Sequence, residues 1–243
     1  MMDGKERPIL FSGAMVRAIL EGRKAQTRRV MKVQPPGDGY ITSRLTDSTF
    51  AGDRKNIGRL HWIKMHDSEL RIVDVGETYF DCPYGQIGDR LWVRETWGNV
   101  AHQIDDNGDL RKWNPDRPAT KVNEIKFGSG YYSGHIIYRA DGEFEWCNDY
   151  GEQNSCWHPS IHMPRAASRI TLEVTNIRIE RLKDISEEDA KAEGCDYSQT
   201  NAAISVGWFE KPVSAFRRLR ESINGVESCD LNPWVWVIEF KRV

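Results

Sequence analysis

The nine residues 21–29, EGRKAQTRR, place Lys24 and Thr27 three positions apart among three arginines. A threonine hydroxyl becomes a nucleophile when a base takes its proton, and a lysine amine can be that base once its pKa is lowered. The neighbouring guanidinium groups would lower it because they disfavour a further positive charge. The segment therefore predicts a nucleophile–base pair, although a phosphate cradle or a solvated basic turn has the same composition.

The elements around this segment decide whether the pair can form. Ser12 is a typical N-cap for a short helix, and Gly22 suits the position just after its end, where φ is positive. Lys24 and Thr27 then lie in a turn or at the start of the strand QTRRVMKV. In a regular strand they would point to opposite faces, whereas a bend would let them converge.

A second group of residues has the chemistry of a metal site. Cys147, Cys156, His158 and His162 lie within sixteen residues of one another. Their spacing lacks the close C-x2-C pair that structural zinc sites usually contain. We therefore expect ordinary cysteines, with no metal ion and no other cofactor.

A third group is basic. HMPRAASR (162–169) brings His162, Arg165 and Arg169 together before a long strand. Arginines at such a position can bind a phosphate or stack on a base. Surface ion pairs are the equally reasonable alternative.

The composition limits the class of protein. The 243 residues are 39% hydrophobic and 29% charged, with a formal net charge of -2, as is typical of a soluble globular protein. No apolar run approaches the roughly 18 residues that span a bilayer, and the N-terminus does not resemble a secretory signal. Five cysteines, an odd number, do not suggest a disulfide framework, so we expect a cytoplasmic protein without a membrane partner.

Strand patterns dominate the chain. Residues 168–182 alternate as a strand whose phase changes near Thr175–Asn176, and 234–240 alternate as a C-terminal strand. Ser186 and Pro212 are typical first residues of two helices. No alternating strand–helix rhythm or glycine-rich phosphate loop is present, which argues against Rossmann and P-loop folds.

These patterns predict an α+β fold, a small and mostly antiparallel β-barrel decorated by short helices. We expect one domain over 1–243, with loop-rich insertions at 35–75 and 100–133. The second insertion should be the least ordered long stretch, because its apolar content is low.

Several motifs, in this order, resemble those of the ASCH-domain family, in particular its larger phage and prophage members. They are SGAMVRAILEGRKAQTRR, GDRLWVRETW, HMPRAASRITLEV, SEEDAKAEG and NPWVWVIEFKRV. The resemblance implies a PUA-like barrel with a cleft for RNA or nucleosides. It leaves out 35–75 and 100–133, which shorter members lack.

One bacterial branch of that family is an amidohydrolase that removes the acetyl group from N4-acetylcytidine. Its catalytic lysine and threonine lie in a Gly-Arg-Lys-x-x-Thr-x-Arg segment, which residues 22–29 match. Its glutamate ends a short capped helix, where this chain has Glu193. Two positions depart from the pattern, since Ala25 replaces a common second threonine and Ala166 replaces an expected tryptophan.

The resemblance implies that this chain deacylates a modified pyrimidine nucleoside without a metal. Thr27 would attack the amide, Lys24 would take its proton, and Glu193 would activate water. The expected substrate-binding residues are Arg23, Arg29, Arg94, Glu95, His162, Arg165 and Arg169.

The alternative is a module of the same family, of phage origin, that binds single-stranded RNA or a nucleotide without turnover. Arg94, Arg165 and Arg169 would then contact phosphate, with Trp92 or Trp97 as a stacking face. A role in phage assembly or in a host interaction rests only on the similarity to phage proteins.

Overall fold

The computed structural model describes residues 4–45, 56–65, 72–76, 78–100, 103–104, 110–111, 115–144, 146–147, 153–198 and 200–243. Sheet predominates over helix among these residues, so the expected α+β class is confirmed. The strands are β1 (Glu6–Leu10), β2 (Gln26–Val30), β3 (Tyr40–Arg44), β4 (Leu60–Met65), β5 (Ile72–Val75), β6 (Arg90–Arg94), β7 (Trp97–Val100), β8 (Gln103–Ile104), β9 (Leu110–Arg111), β10 (Thr120–Phe127), β11 (Gly130–Tyr138), β12 (Trp146–Cys147), β13 (Gln153–Asn154), β14 (Trp157–His158), β15 (Thr171–Arg181) and β16 (Trp234–Arg242).

The described helices are α1 (Gly13–Leu20), α2 (Glu187–Ala192), α3 (Asn201–Val206) and α4 (Pro212–Asn224). Three of these four begin and end where the local signals predict, and α3 was not predicted. Ser12 is the N-cap of α1, and the φ of Gly22, two residues after its end, is 74°. The Ser186 hydroxyl accepts a hydrogen bond from the Asp189 amide at the start of α2, and proline is the first residue of α4. No helix in the described ranges is long and apolar enough to cross a membrane.

The chain forms two compact units. The first contains residues 1–25, 87–175 and 240–243, and the second contains 26–86 and 176–239. Strand β15 passes from one unit to the other between Thr175 and Asn176, where its hydrophobic phase changes. The prediction of a single domain with insertions is not tested by this division and stays a prediction.

The first unit contains strands of two sheets. Strand β6 pairs with β1 in parallel and with β15 antiparallel. Strands β10, β11, β7 and β14 form a second sheet in that order. Its core contains Trp97, Ile136, Tyr138 and Met163, each at most 1% exposed.

The second unit pairs β2 with β16, so that Thr27 lies opposite Ile238. Both faces of β16 are covered here, since Val235 to Ile238 are all at most 4% exposed. The C-terminal strand predicted over residues 234–240 is therefore confirmed. Helices α2 and α4 cover one side through a core that includes Cys195, Phe216 and Val237. Strands β3, β4 and β5 form a separate antiparallel sheet within 35–75.

One expectation about the insertions is wrong. Residues 120–133 are not loop-rich, because β10 and β11 pair antiparallel over most of their length. The regular alternation is hidden by a register shift between Val122 and Ile125, where Glu124 has a φ of 49°. Such a bulge moves the following side chains to the other face, so a period-two pattern fails although the strand continues. In neither unit do the described strand pairings close into a barrel.

Candidate functional site

The buried polar side chains are concentrated on the segment that the sequence singles out. Nine polar or charged residues are buried in the described parts of the chain. Five of them belong to this segment or to the glutamate after α2: Lys24, Gln26, Thr27, Arg28 and Glu193. Lysine, arginine and glutamate are rarely fully buried unless they are paired or functional. A solvated basic strip does not describe these residues.

Lys24 belongs to the first unit and is 3% exposed. The amides of Arg23 and Lys24 both donate to the carbonyl of Ala18, at 2.8 and 3.0 Å, so the chain turns tightly after α1. The Lys24 ammonium lies 5.7 Å from the ring centroid of Phe11, within the range of a cation–π contact. The turn therefore directs this lysine inward. This contradicts the alternative of a solvated basic turn, in which the lysine would point to solvent.

Arg23 differs from Lys24. Its guanidinium is 41% exposed and forms an ion pair with Glu21, with Nε 2.8 Å from the carboxylate. This pair has the character of a surface ion pair. Adjacent residues of the same basic segment therefore have opposite environments.

Thr27 belongs to the second unit and is 3% exposed, in the middle of β2. Successive side chains of a strand point to opposite faces, so Thr27 and Arg29 share one face while Gln26 and Arg28 share the other. About 7 Å of strand separates the Cα atoms of Thr27 and Arg29.

Arg28 is the centre of an ion-pair network in the second unit. Its side chain is 0% exposed, and Nη2 lies 3.0 Å from both Glu180 Oε2 and Asp189 Oδ2. Asp189 also accepts from Arg178 Nη2 at 2.6 Å. Burial alone would raise the pKa of Asp189, but the charges of Arg28 and Arg178 outweigh burial and lower this pKa to about 2. The carboxylates hold the buried arginine in place and compensate its charge.

Glu193 directly follows α2 and is 5% exposed. Its amide donates to the carbonyl of Asp189 at 2.8 Å, which fixes the backbone at the helix end. Its Oε1 lies 3.6 Å from Arg28 Nη1, an ion pair slightly longer than a hydrogen bond. The capped helix thus delivers a buried carboxylate to the strand that carries Thr27.

Arg29 lies near Glu193 and near Tyr84. Burial lowers the pKa of Arg29, and the nearby Tyr84 and Glu193 side chains oppose this shift. Burial raises the pKa of Tyr84, so its side chain is a neutral hydroxyl that can donate a hydrogen bond. Arg29 therefore lies near both Tyr84 and Glu193 in the second unit.

The other predicted binding residues lie in the first unit, where two of them pair with each other. Arg169 makes two bonds of 3.0 Å to Glu95 and bonds of 2.6 and 3.1 Å to Asp141, and it stacks 3.9 Å from the Tyr138 ring centroid. Burial raises the pKa of Glu95, and Arg169 opposes this rise. Burial disfavours the charge of Arg169, but its two carboxylate partners outweigh burial and raise its pKa. This network satisfies its own charges.

Arg165 and Arg94 lie near the surface of the same unit. Arg165 pairs with Glu6, with Nε 2.8 Å from the carboxylate, and its guanidinium carbon lies 6.0 Å from the Trp92 ring centroid. Arg94 lies over the same ring at 4.6 Å and donates to the Ile161 carbonyl at 3.2 Å. Trp92 therefore packs against two arginines.

His162 and the proposed stacking residues complete the predicted set. His162 is exposed at the end of a short 3-10 turn, Ser160–His162. Trp97 is 1% exposed and packs against Phe127 and His158. It presents no open face to a base.

The possible metal ligands are not brought together in the described part of the structure. The side chain of Cys147 lies outside what the structure describes. Among the side chains that are described, no three His, Cys, Asp or Glu residues form a group that could hold a metal ion.

Sequence reasoning missed the residues that surround Glu193. Asp189 and Arg178 partner Arg28, and Arg220 lies close enough to Glu193 and Arg29 for their charges to act on its pKa. A signal for Arg220 was present, because it lies four residues after Phe216 on the apolar stripe of α4. A charged residue on such a stripe indicates a buried polar contact.

Comparisons with protein-family models, with curated proteins and with solved structures found no match. The resemblance to the ASCH-domain family stays a prediction that rests on the motifs alone.

Proposed function

We propose that this protein is an amidohydrolase of the ASCH-domain type, built on a PUA-like fold, which removes an acyl group from a modified pyrimidine such as N4-acetylcytidine. The observation that carries the proposal is the burial of all three expected catalytic residues. Lys24, Thr27 and Glu193 are 3%, 3% and 5% exposed, and Lys24 is the only buried lysine among the described residues. Burying such groups costs free energy, and a basic turn without a function would leave them in water.

In the first step, the Thr27 hydroxyl attacks the carbonyl carbon of the exocyclic amide while the Lys24 amine accepts the hydroxyl proton. Two residues separate Lys24 from Thr27, so the chain itself limits their Cα atoms to about 11 Å apart. The tetrahedral intermediate collapses as the carbon–nitrogen bond breaks and Lys24 returns the proton to the leaving nitrogen. Cytidine leaves, and the acyl group remains as an ester on Thr27.

In the second step, water hydrolyses the ester. Glu193 accepts a proton from the water, which attacks the ester carbonyl, and the proton then passes to the Thr27 oxygen as the ester bond breaks. Acetate leaves and the threonine hydroxyl is restored. Glu193 follows a capped helix and acts electrostatically on Arg29, which shares a face of β2 with Thr27, and this proximity supports the role.

Arg29 has a separate role in the proposal. It shares a face of β2 with Thr27, and a guanidinium on that face can stabilise the negative oxygen of each tetrahedral intermediate. Arg28 points to the other face of the strand, where its charge is compensated by three carboxylates. In this proposal, Arg29 therefore contacts the substrate, whereas the adjacent Arg28 stabilises the fold.

The direct test is incubation of the purified protein with N4-acetylcytidine, with cytidine and acetate followed by chromatography and proton NMR. We expect both products in equal amounts from the wild-type protein and none from Lys24→Met, which keeps the length of the side chain but has no amine. Lys121→Met, at an exposed lysine of β10, is the matched control and should keep its activity. The absence of products from the wild-type protein over a wide pH range would remove this substrate.

RNA binding without turnover is the second candidate function, and two observations count against it. Arg169 is engaged by Glu95 and Asp141, and Trp97 is buried, so these residues offer no phosphate or base contact in this conformation. Arg94 and Arg165 around Trp92 are the remaining contacts for RNA. Titration of a single-stranded RNA at increasing salt tests this candidate, which requires an affinity that falls steeply with salt.

A further inference from the structure

Four large apolar side chains are exposed at the end of helix α3, in the second unit. Ile204 and Val206 belong to the helix and are 66% and 75% exposed. Trp208 and Phe209 follow the helix directly and are 71% and 46% exposed. Single exposed apolar residues are normal on a protein surface, but four within six residues form a cluster, and such a cluster marks a contact surface. Residues 204–209 are called the apolar patch below.

Packing within the unit does not explain why α3 presents these side chains. The Thr200 hydroxyl accepts a hydrogen bond from the Ala203 amide at 3.2 Å, and Gly207 ends the helix with a φ of 70°. The caps fix the helix, yet Ala203 is its only buried residue. A helix of six residues is marginal by itself, and the β-branched Ile204 and Val206 do not favour it. The chain therefore holds apolar side chains in a defined position in water.

The apolar patch carries no charge. None of residues 200–209 is Asp, Glu, Lys or Arg, in a chain in which 29% of residues are charged. The next charged residue is Glu210, and Arg218 Nη2 lies 2.7 Å from its carboxylate. The charge beside the patch is therefore compensated within the same copy of the chain.

Absence of charge suits a contact between two identical surfaces. Around a two-fold axis a surface meets itself, so an uncompensated charge near the axis faces a charge of the same sign. The apolar patch has no such charge to oppose the contact. An acidic or basic partner, by contrast, would find no opposite charge on the patch with which to pair.

The area of the patch is sufficient for a weak dimer. A large aromatic side chain buries about 150–250 Å² when it is enclosed, so the four exposed side chains together present roughly 500 Å². Two copies would then remove roughly 1,000 Å² from water, which is near the lower limit for a specific interface. An interface of this size predicts association at micromolar rather than nanomolar concentrations.

We propose that the apolar patch is a homodimer contact, in which the patch of one copy packs against the same patch of a second copy. Homodimer interfaces are more apolar than the rest of a protein surface, and tryptophan is among the residues that contribute most to binding. The contact goes beyond the proposed function and does not depend on it.

The first experiment measures the mass of the protein by sedimentation equilibrium. We expect 28.0 kDa at about 1 µM and a value approaching twice that at about 200 µM. Trp208→Glu brings two like charges into the contact and should stay monomeric throughout. Tyr131→Glu, at a 70% exposed aromatic side chain of the first unit, is the matched control and should associate as the wild-type protein does.

Two results of this experiment would overturn the proposal. One is a wild-type protein that is monomeric at the highest concentration, and this result holds even if Trp208→Glu fails to fold. The other is a folded Trp208→Glu protein that associates as the wild-type protein does.

A second experiment separates a contact between like patches from a contact between the patch and another surface. Fluorescently labelled Trp208→Glu is mixed with an excess of unlabelled wild-type protein, and the sedimentation of the label is followed. In a contact between like patches the altered patch is half of the interface, so we expect the variant to stay monomeric. In a head-to-tail contact the variant would still offer its unaltered surface to the wild-type patch. Binding of the variant to the wild-type protein would therefore overturn the two-fold contact.

A lipid surface would also cover an apolar patch, and flotation with phosphatidylcholine vesicles tests this occupant. We expect the wild-type protein to stay with the soluble fraction. A wild-type protein that floats with the vesicles, while Trp208→Glu does not, would overturn the second copy as the occupant.

The dimer and the proposed activity fail separately, because no residue of the apolar patch belongs to the expected catalytic set. A monomeric protein that hydrolyses N4-acetylcytidine would remove the dimer alone. A dimeric protein that does not hydrolyse it would remove the proposed activity alone.

Discussion

Arg28 and Glu193 approach each other to 3.6 Å in the second unit, and their side chains are 0% and 5% exposed. They come from a strand and a helix end that are separated by more than 160 residues of sequence. The same arginine holds Glu180 and Asp189 at 3.0 Å, so it stabilises the fold around the glutamate that we assign to catalysis.

Replacement of Arg28 by methionine should destabilise the protein strongly. The change leaves three carboxylates without their shared cation, and removal of one partner from a buried ion pair costs about 3–5 kcal/mol. The shift of the urea midpoint would measure this loss, provided that the dependence of the unfolding free energy on urea concentration is unchanged. Arg23→Met, at a 41% exposed side chain, should stay within about 0.5 kcal/mol of wild type. A loss below about 1 kcal/mol for Arg28→Met would show that the network is not stabilising.

Glu193→Gln should have the opposite profile, with a large effect on activity and a small one on stability. Arg28 keeps Glu180 and Asp189, so we expect a loss of about 1 kcal/mol in the free energy of unfolding. Loss of the general base should lower the rate of ester hydrolysis about 10²–10⁴-fold. Glu188→Gln, at an exposed position of α2, is the matched control. Unchanged turnover in Glu193→Gln would exclude Glu193 as the base.

The pH dependence of stability should contain a contribution from Asp189. Its pKa is lowered from 3.8 to about 2 in the folded protein, so the folded state binds fewer protons than the unfolded state between these values. The stabilisation is present above about pH 4 and is lost as the pH falls toward 2. Urea midpoints between pH 2 and 5 would measure this, and Asp189→Asn should flatten the profile. Identical slopes in the two proteins would contradict the assignment.

Arg169 should stabilise the first unit rather than bind a ligand. Arg169→Met leaves Glu95, which is 1% exposed, without its cation, and we expect a loss of about 3 kcal/mol. Arg165→Met removes a half-exposed pair with Glu6 and should cost less than about 1 kcal/mol. Chemical denaturation of both variants makes the comparison. A stable Arg169→Met protein with weakened RNA affinity would favour the RNA-binding alternative.

The parts of the fold that could be predicted from the sequence are local. Ser12 and Gly22 bound helix α1, Ser186 caps α2, and Pro212 begins α4, because each of these signals acts within one turn of the chain. Strand β16 was also readable, because residues 234–240 are nearly all apolar, as expected of a strand that is buried on both faces.

The parts that could not be predicted depend on distant partners. The hairpin of β10 and β11 was missed because a bulge between Val122 and Ile125 interrupts its period, and its partners become apparent only when the strands pair. The compensation of Arg28 was missed for the same reason, since its carboxylates lie about 150 residues away in the chain. Lys24, Thr27 and Glu193 were found by the motif, but their burial could be known only from the structure.

The most direct test of the proposed mechanism is to trap the acyl group on Thr27. Glu193→Gln should form the ester and hydrolyse it slowly, so after incubation with N4-acetylcytidine, peptide mass spectrometry should find one acetyl group on the peptide that contains Thr27. The Glu193→Gln, Thr27→Val double variant should carry none. An unmodified Thr27 in Glu193→Gln, while the wild-type protein releases cytidine and acetate, would contradict the central claim that this threonine is the nucleophile.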